Sequence, residues 1–266
     1  MKSLKKLSLF LGYVIVSSFM MGHVTSQYTD NVPEKELKNL DIYLVIGQSN
    51  MAGRAQIREE DQDEIKNTYL FTGNEDPAWV KATNPINRYS TVRKSMDMQR
   101  LSLAYSFAQS IIKARPENEI GLVANAKGGT KIVQWLPGTE LYEAAIKQTK
   151  KAIAYGTLKG IIWHQGEGDC DPLRIDMYLG RLEVLINAIR EEFDDQTIPF
   201  IAGQLFENEK RKPFNDMLLE LPKFIRNSGV ATSEGTKAFD GTHYDSKSAI
   251  LLGRRYADEI LKFIEK

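Results

Sequence analysis

Short apolar runs alternate with longer segments of helical period along most of this chain. The runs are rich in β-branched residues and give way abruptly to glycine or polar residues, as buried strands do. They lie at residues 41–46, 120–124, 160–163 and 199–202, with a weaker one at 230–232. Apolar residues recur at helical spacing at residues 101–115, 141–155, 175–193, 214–227 and 246–265. This alternation predicts right-handed crossovers and a mainly five-stranded parallel sheet covered on both faces, with a site at the carboxyl ends of its strands.

Length and composition are those of one soluble globular domain. The chain has 266 residues, of which 42% are hydrophobic, enough for a full core. The 35 basic residues balance the 35 acidic ones, and no run of five like charges occurs, so nothing indicates a nucleic-acid partner. Residues 54–100 keep neither period for long, and we interpret them as an elaborated loop region.

The first 26 residues have the pattern of a signal peptide. Three lysines in the first six residues precede an apolar run from residue 7 to about residue 22, and small residues follow at positions 24 and 26. The alternative is an uncleaved anchor, but the run is shorter than the roughly 20 residues that a span needs. We therefore expect a secreted or periplasmic protein with one domain at residues 27–266 and no stable membrane insertion. Cys170 is the only cysteine, which excludes an internal disulfide and leaves its own role open.

A candidate nucleophile follows the first predicted strand. Ser49 lies between Gly47 and Gly53, and flexible glycines at the end of a buried parallel strand allow a serine hydroxyl to face the sheet's carboxyl edge. The alternative is a serine that merely caps a helix or stabilises a turn.

Several polar and ionisable residues follow the predicted strand at residues 160–163. They are His164, Gln165, Glu167, Asp169 and Cys170. Metal binding is one interpretation, but no HExxH or CxxC spacing is present, and we expect neither a metal nor a cofactor. His164 fits a hydrogen-bonded scaffold residue better than a catalytic one, and the side-chain amide of Gln165 is suited to hold an oxyanion.

A carboxylate and an imidazole come together before the last predicted helix. Asp240 precedes His243 by three residues, a spacing that allows the carboxylate to orient the ring, although the same pattern also occurs in ordinary surface turns. Gly128 and Gly129 form a flexible loop after the second strand, where a backbone N–H can turn toward a ligand.

Four short motifs, in this order along the chain, resemble those of the SGNH hydrolases. They are GQSNM at Ser49, KGGT at Gly129, WHQGE at Gln165 and DGTHY at His243. The resemblance runs from about residue 41 to residue 256 and is most specific to the branch of acetylxylan esterases and sialate O-acetylesterases. It implies the SGNH hydrolase fold, a flavodoxin-like three-layer α/β/α sandwich.

The resemblance also implies roles for individual residues. Ser49 is expected to be the nucleophile and His243 the general base, with either Asp240 or Glu167 as the acid of the triad. Asp240 is favoured because it shares a short loop with the histidine. The remaining expectations are an oxyanion hole formed by Ser49, Gly129 and Gln165, and substrate contacts from Gln48, Asn50, Trp135 and His164. Trp79, Tyr89 and Trp135 are candidate apolar faces for a sugar ring.

The expected activity is that of a carbohydrate O-acetylesterase with an acetyl-enzyme intermediate, acting on an acetylated carbohydrate as its partner. Acetylxylan and O-acetylated sialic acid both remain open as substrates, and the oligomeric state is open too. Two alternatives share the scaffold: a lipase or thioesterase for other acyl esters, and a carbohydrate-binding protein without activity.

Overall fold

A computed structural model describes residues 31–33 and 35–264, so the predicted signal peptide at residues 1–26 lies outside the described residues. Seven strands form one sheet in the order β3-β2-β4-β1-β5-β6-β7. Only the β2–β3 pair is antiparallel. The strands are β1 (Leu40–Gly47), β2 (Thr68–Phe71), β3 (Trp79–Lys81), β4 (Ile120–Ala124), β5 (Gly156–His164), β6 (Phe200–Gly203) and β7 (Ser228–Ala231).

Helices cover both faces of this sheet. They are α1 (Ser49–Ala52), α2 (Leu103–Ala114), α3 (Glu140–Ala152), α4 (Pro172–Glu192), α5 (Lys212–Leu218), α6 (Leu221–Phe224) and α7 (Ser246–Ile264). One apolar cluster joins the sheet to α3, α4, α5 and α6, and a second joins it to α2 and α7. The predicted three-layer α/β/α class is thus confirmed, and the five strands predicted from the sequence are all present.

Residues 54–100 are not simply a loop, and this part of the prediction is wrong. They contain β2 and β3, which extend the sheet beyond β4, and three short 3₁₀ helices. These strands have only four and three residues, too few to show a hydrophobic period in the sequence.

The helix predicted at residues 214–227 is also corrected, because the structure divides this segment into α5 and α6. Pro222 lies in the first turn of α6. Its ring nitrogen carries no hydrogen, so it cannot make the bond to the fourth preceding carbonyl that a continuous helix requires. The other predicted helices are confirmed to within a few residues of their ends. None of the helices described is long and apolar enough to span a membrane.

The site is positioned by β1, the strand at the centre of the sheet. All eight of its residues are buried, and its last residue, Gly47, pairs with His164 at the end of β5. A side chain at Gly47 would place its Cβ 2.3 Å from the His164 carbonyl oxygen, and the φ of Gly47 is +133°. Only glycine allows β1 to turn here into α1, whose first residue is Ser49.

Candidate active site

The Ser49 hydroxyl lies at the start of a hydrogen-bonded chain of three side chains. It is 2.9 Å from Nε2 of His243, and Nδ1 of that ring is 2.6 Å from a carboxylate oxygen of Asp240. In the neutral ring with hydrogen on Nδ1, the serine donates to Nε2 and the imidazole donates to the carboxylate. The structure therefore brings Ser49 to an acid and a histidine that lie nearly 200 residues further along the chain, in the arrangement that activates a serine.

Asp240 is built into the turn that carries the histidine. Its second oxygen accepts hydrogen bonds from the backbone N–H groups of Thr242 at 2.9 Å and His243 at 2.7 Å. Partial burial acts to raise the pKa of Asp240, but hydrogen bonds from the His243 side chain and from the two backbone groups outweigh it and hold this pKa below its ordinary value. The carboxylate thus stays charged beside the imidazole.

Glu167, the other candidate acid, lies apart from the imidazole. One of its oxygens accepts a 2.9 Å hydrogen bond from the Asn50 side chain, and the other is buried without a partner among the described residues. Burial raises the pKa of Glu167, an effect that the hydrogen bond from Asn50 and the charge of Arg211 only partly oppose. Of the two carboxylates, only Asp240 contacts His243.

Ser49 and His243 open into a cleft of about 460 Å³. Gly129, with a φ of +74°, lies on its wall, and a Cβ added at Gly128 would be 3.4 Å from the Cβ of Ser49. The KGGT loop therefore passes directly beside Ser49. The cleft is lined by Gln48, Ser49, Arg54, Lys94, Met98, Gly128, Gly129, Lys131, Glu167, Gly168, Arg211, Thr242 and His243.

Basic side chains dominate this lining. Lys94 and Lys131 are exposed and Arg54 is half-buried, whereas Glu167 is the one acid among the lining residues. Arg211 is buried and donates hydrogen bonds to the Gly241 carbonyl and the Thr242 hydroxyl, both at 2.9 Å. Sequence reasoning missed all four basic residues, because four separate segments of the chain bring them to the cleft.

The structure corrects the expectation that Gln165 is an oxyanion donor. Its side-chain amide is buried and donates to a carboxylate oxygen of Asp169 at 2.7 Å and to the Thr130 carbonyl at 3.0 Å. Its oxygen accepts from the Tyr178 hydroxyl at 3.0 Å. Both amide hydrogens are therefore committed, and Gln165 is not among the residues that line the cleft.

Three expected substrate contacts are corrected as well. Trp135 is fully buried, packs edge-to-face on Trp163 and donates its indole N–H to Thr130. His164 is also fully buried, with Nδ1 at 3.0 Å from the Tyr256 hydroxyl. Asn50 uses its whole side-chain amide in internal hydrogen bonds. Gln48 alone of the four expected contacts lines the cleft.

The aromatic residues proposed as sugar platforms lie elsewhere. Trp79 is buried against Phe71 and Tyr155 at the edge of the sheet, and Tyr89 is half-buried beside the second core cluster. The exposed aromatic ring at the site is that of Phe239, which stacks on the His243 imidazole with ring centroids 5.9 Å apart. Phe239 directly precedes the DGTHY motif, and this proximity is the feature of the sequence that could have identified it as a residue of the site.

Burial controls the protonation of His164. Burial, with a smaller effect from the charge of Arg211, lowers the pKa of its imidazole to about 3. This histidine is therefore neutral at physiological pH and serves the scaffold, as its sequence context favoured. In the part of the chain that the structure describes, no group of three or more His, Cys, Asp or Glu residues is arranged to hold a metal ion.

Comparison with known proteins agrees with this geometry. The family described as carbohydrate esterase, sialic acid-specific acetylesterase, matches residues 39–262. A probable carbohydrate esterase of Arabidopsis thaliana is 29% identical over 177 residues, which are 60% of this chain and 66% of that relative, just under two thirds of its length.

Solved structures share the fold. An Arabidopsis thaliana protein superposes with a TM-score of 0.74 at 24% identity, over 83% of this chain and 97% of its own. NanS superposes with a TM-score of 0.68 at 14% identity, over 87% and 99%. The predicted esterase resemblance is confirmed at the level of the family, because the family match covers the sheet and all four motifs. The chain belongs to the carbohydrate esterase family of sialic acid-specific acetylesterases.

Proposed function

We propose that this protein hydrolyses acetyl esters on a carbohydrate, with Ser49 as nucleophile, His243 as general base and Asp240 as the acid that orients the base. The observation that supports this most strongly is the unbroken hydrogen-bonded chain from Asp240 through His243 to Ser49, ending in an open cleft. Such a chain activates a hydroxyl that is otherwise a weak nucleophile at neutral pH.

The geometry supports a two-step mechanism. Nε2 of His243 accepts the hydroxyl proton as Ser49 Oγ attacks the acetyl carbonyl, and the imidazolium then gives that proton to the departing sugar oxygen. A water molecule, deprotonated by the same nitrogen, attacks the acetyl-enzyme, and collapse of the second tetrahedral intermediate releases acetate and restores the serine. Backbone N–H groups of Ser49 and Gly129 are the proposed oxyanion donors. Each such donor typically increases kcat by a factor on the order of 10².

The charges of the cleft favour an acetylated sugar that carries a carboxylate, of which O-acetylated sialic acid is the example within the family. Arg54, Lys94 and Lys131 surround the position where a substrate meets Ser49, and charged hydrogen bonds to a carboxylate contribute more than neutral ones. Met98 is the one large apolar residue in the lining. A long acyl chain would meet no second large apolar side chain there, which disfavours a lipase or thioesterase.

The direct test is acetate release from O-acetyl sialosides, acetylated xylan, and matched acetyl, butyryl and longer-chain esters. We expect the highest kcat/KM on the anionic acetylated sugar and a steep decline with acyl length. Higher kcat/KM on acetylated xylan would reject the anionic substrate but keep the acetylesterase. Binding of glycans without turnover would instead support the non-catalytic alternative.

Single lysine variants test the charge argument. Lys94→Ala and Lys131→Ala should each raise KM for the acetylated sialoside about threefold to tenfold, the effect of losing one charged contact, and leave KM for a neutral aryl acetate nearly unchanged. Lys147→Ala, which removes an exposed lysine of α3 outside the cleft, is the matched control. Equal changes in KM for both substrates would contradict recognition of the carboxylate.

Export is proposed from the sequence of the first 26 residues. The family match begins at residue 39, which is consistent with a leader that precedes a single esterase domain. N-terminal sequencing of the exported protein should find a start near Gln27. Recovery of the unprocessed chain in the membrane fraction would contradict this proposal.

A further inference from the structure

The side chain next to the nucleophile holds the loop that carries the base. Asn50 follows Ser49 and is 4% exposed. Its amide nitrogen donates to the Thr242 carbonyl at 3.2 Å, and its oxygen accepts from the Tyr244 N–H at 3.1 Å. These are the backbone groups directly before and after His243. One buried amide therefore bonds to the chain on both sides of the catalytic base.

Asp240 does not fix the loop in this way. Among the described residues, its hydrogen bonds go only to Thr242 and His243, within the same turn. They orient the imidazole relative to its own loop but do not attach that loop to β1. In the DGTHY turn Asp240 and Gly241 are exposed, and Gly241 at the tip has a φ of +74°. Tyr244 at its end is buried, with its hydroxyl donating to the Gln204 carbonyl at 2.8 Å. The distance from His243 to Ser49 must therefore be set by contacts from outside the turn.

Two side chains supply such contacts. Arg211 bonds to the outer part of the turn, at the Gly241 carbonyl and the Thr242 hydroxyl. Asn50 bonds next to the histidine itself and is covalently joined to Ser49, so it gives the shortest link between base and nucleophile. The second amide hydrogen of Asn50 goes to Glu167 at 2.9 Å, which fixes the direction of the amide.

We infer that Asn50 is a positioning residue that sets the distance between His243 Nε2 and Ser49 Oγ, and that Glu167 holds the Asn50 amide in the orientation this requires. The inference rests on the proposed function of Ser49 and His243, and it adds a role for two residues that need not contact the substrate. Displacement of a catalytic group by about 1 Å lowers turnover by on the order of 10².

Asn50→Ala and Asn50→Asp test the link itself. Both remove the donor to Thr242, and the aspartate variant keeps the size and an acceptor for the Tyr244 N–H. We expect kcat on a neutral aryl acetate to fall about 10-fold to 100-fold in each, with KM changed less than threefold. The rate at which a fluorophosphonate labels Ser49 should fall in parallel, because it depends on the same proton transfer.

A matched control separates positioning from stability. Asn215 is buried and bonds to both backbone groups of Leu205 with its side-chain amide, as Asn50 does to the residues beside His243. Asn215→Ala should lower the melting temperature about as much as Asn50→Ala does. It should leave kcat per folded molecule within about twofold of the wild-type value. A kcat of Asn50→Ala as high as that of this control would overturn the inference and make Asn50 merely structural.

The role of Glu167 is tested by a double-mutant cycle. Glu167→Gln keeps an oxygen acceptor for Asn50 and should retain most of kcat, whereas Glu167→Leu removes the acceptor and should approach the loss of Asn50→Ala. The double variant Asn50→Ala with Glu167→Leu should lose little more than Asn50→Ala alone, since the two act through one link. Additive losses would overturn the coupling. If the wild-type protein itself released no acetate and its Ser49 were not labelled, the proposed function would fail instead.

Discussion

Two parts of the molecule hold the same kinds of side chain but place them differently. One is the segment at the end of β5, and the other is the DGTHY turn. Residues 164–169 include a histidine, two acids and an amide, and residues 240–243 include an acid and a histidine. In the first segment His164, Gln165 and Asp169 are buried, and the hydrogen bonds of Gln165 stay inside the fold. In the second the acid is exposed and the histidine half-buried, and their contacts lead to Ser49 and the cleft.

The difference teaches that burial decides what an ionisable cluster at a strand end can do. Protonation of a buried imidazole such as His164 is energetically unfavourable, so this ring cannot accept and return a proton during turnover. The His243 imidazole lies beside a carboxylate whose pKa is depressed. In the proposed mechanism, this negative charge stabilises the imidazolium that forms as the serine loses its proton. Four experiments can contradict or sharpen this comparison.

The largest effect is expected at Ser49, where the DGTHY turn meets the nucleophile. Ser49→Ala should lower kcat by about 10⁴ to 10⁶ and leave the fold intact, because the hydroxyl forms the covalent intermediate. Ser228→Ala, which removes a buried hydroxyl at the opposite, amino end of β7, is the control and should retain activity. Turnover of Ser49→Ala near the wild-type rate, measured on an aryl acetate, would exclude the serine as nucleophile.

The second comparison is between the two acids, one from each segment. Asp240→Asn should reduce kcat by about 10⁴, because an amide at this position favours the wrong imidazole tautomer. Glu167→Gln should cost clearly less, since it keeps an oxygen for Asn50. The measurement is kcat of both variants on one aryl acetate, with circular dichroism to verify folding. A greater loss of kcat in Glu167→Gln than in Asp240→Asn would show that Glu167, in the WHQGE segment, is the acid.

The third experiment tests the buried segment at residues 164–169 directly. Gln165→Ala removes the side-chain donor to the Thr130 carbonyl and one of the two donors to Oδ2 of Asp169, which keeps the N–H of Ile132. An unsatisfied buried polar group costs about 1–3 kcal/mol. We expect the free energy of unfolding in urea to fall by at least that much. In contrast, kcat of the folded fraction should fall less than about tenfold. A loss of 10² to 10³ in kcat with unchanged stability would restore the oxyanion role.

The sequence predicted the central strands of this protein and the three residues that the structure joins by hydrogen bonds, and it failed where burial had to be known. Long apolar runs reveal β1 and β5, whereas β2 and β3 are too short to show a period. Ser49 and His243 were found through motifs beside strand ends. The same reasoning placed Gln165 in the oxyanion hole and Trp135 in contact with the substrate, because a motif does not show which way a side chain points. Arg211 had no local signal at all, since its role depends on a distant turn.

The smallest effect concerns the pH dependence of stability and involves His164 alone. Its pKa in the folded protein is about 3, well below the ordinary value of 6.5 that it regains on unfolding. Between these values the unfolded chain binds a proton that the folded one does not, so stability is retained above pH 6.5 and declines as the pH falls. The slope approaches about 1.4 kcal/mol per pH unit, because the unfolded chain binds one proton more than the folded one in this range. The groups that face the imidazole are the Tyr256 hydroxyl, the Tyr244 ring and, through its charge, Arg211.

His164→Asn is the variant that isolates this effect. The amide nitrogen of asparagine can take the place of Nδ1 as donor to the Tyr256 hydroxyl, which itself donates to the Trp163 carbonyl, and it does not titrate. Urea unfolding at pH 7 and pH 5 should show that the wild type loses about 2 kcal/mol more than the variant over this interval. The variant leaves every other ionisable side chain in place, so the comparison with the wild type isolates His164. Equal losses of stability in the two proteins would mean that His164 accepts a proton inside the fold. Burial would then not distinguish His164 from His243, and only their positions relative to Ser49 would.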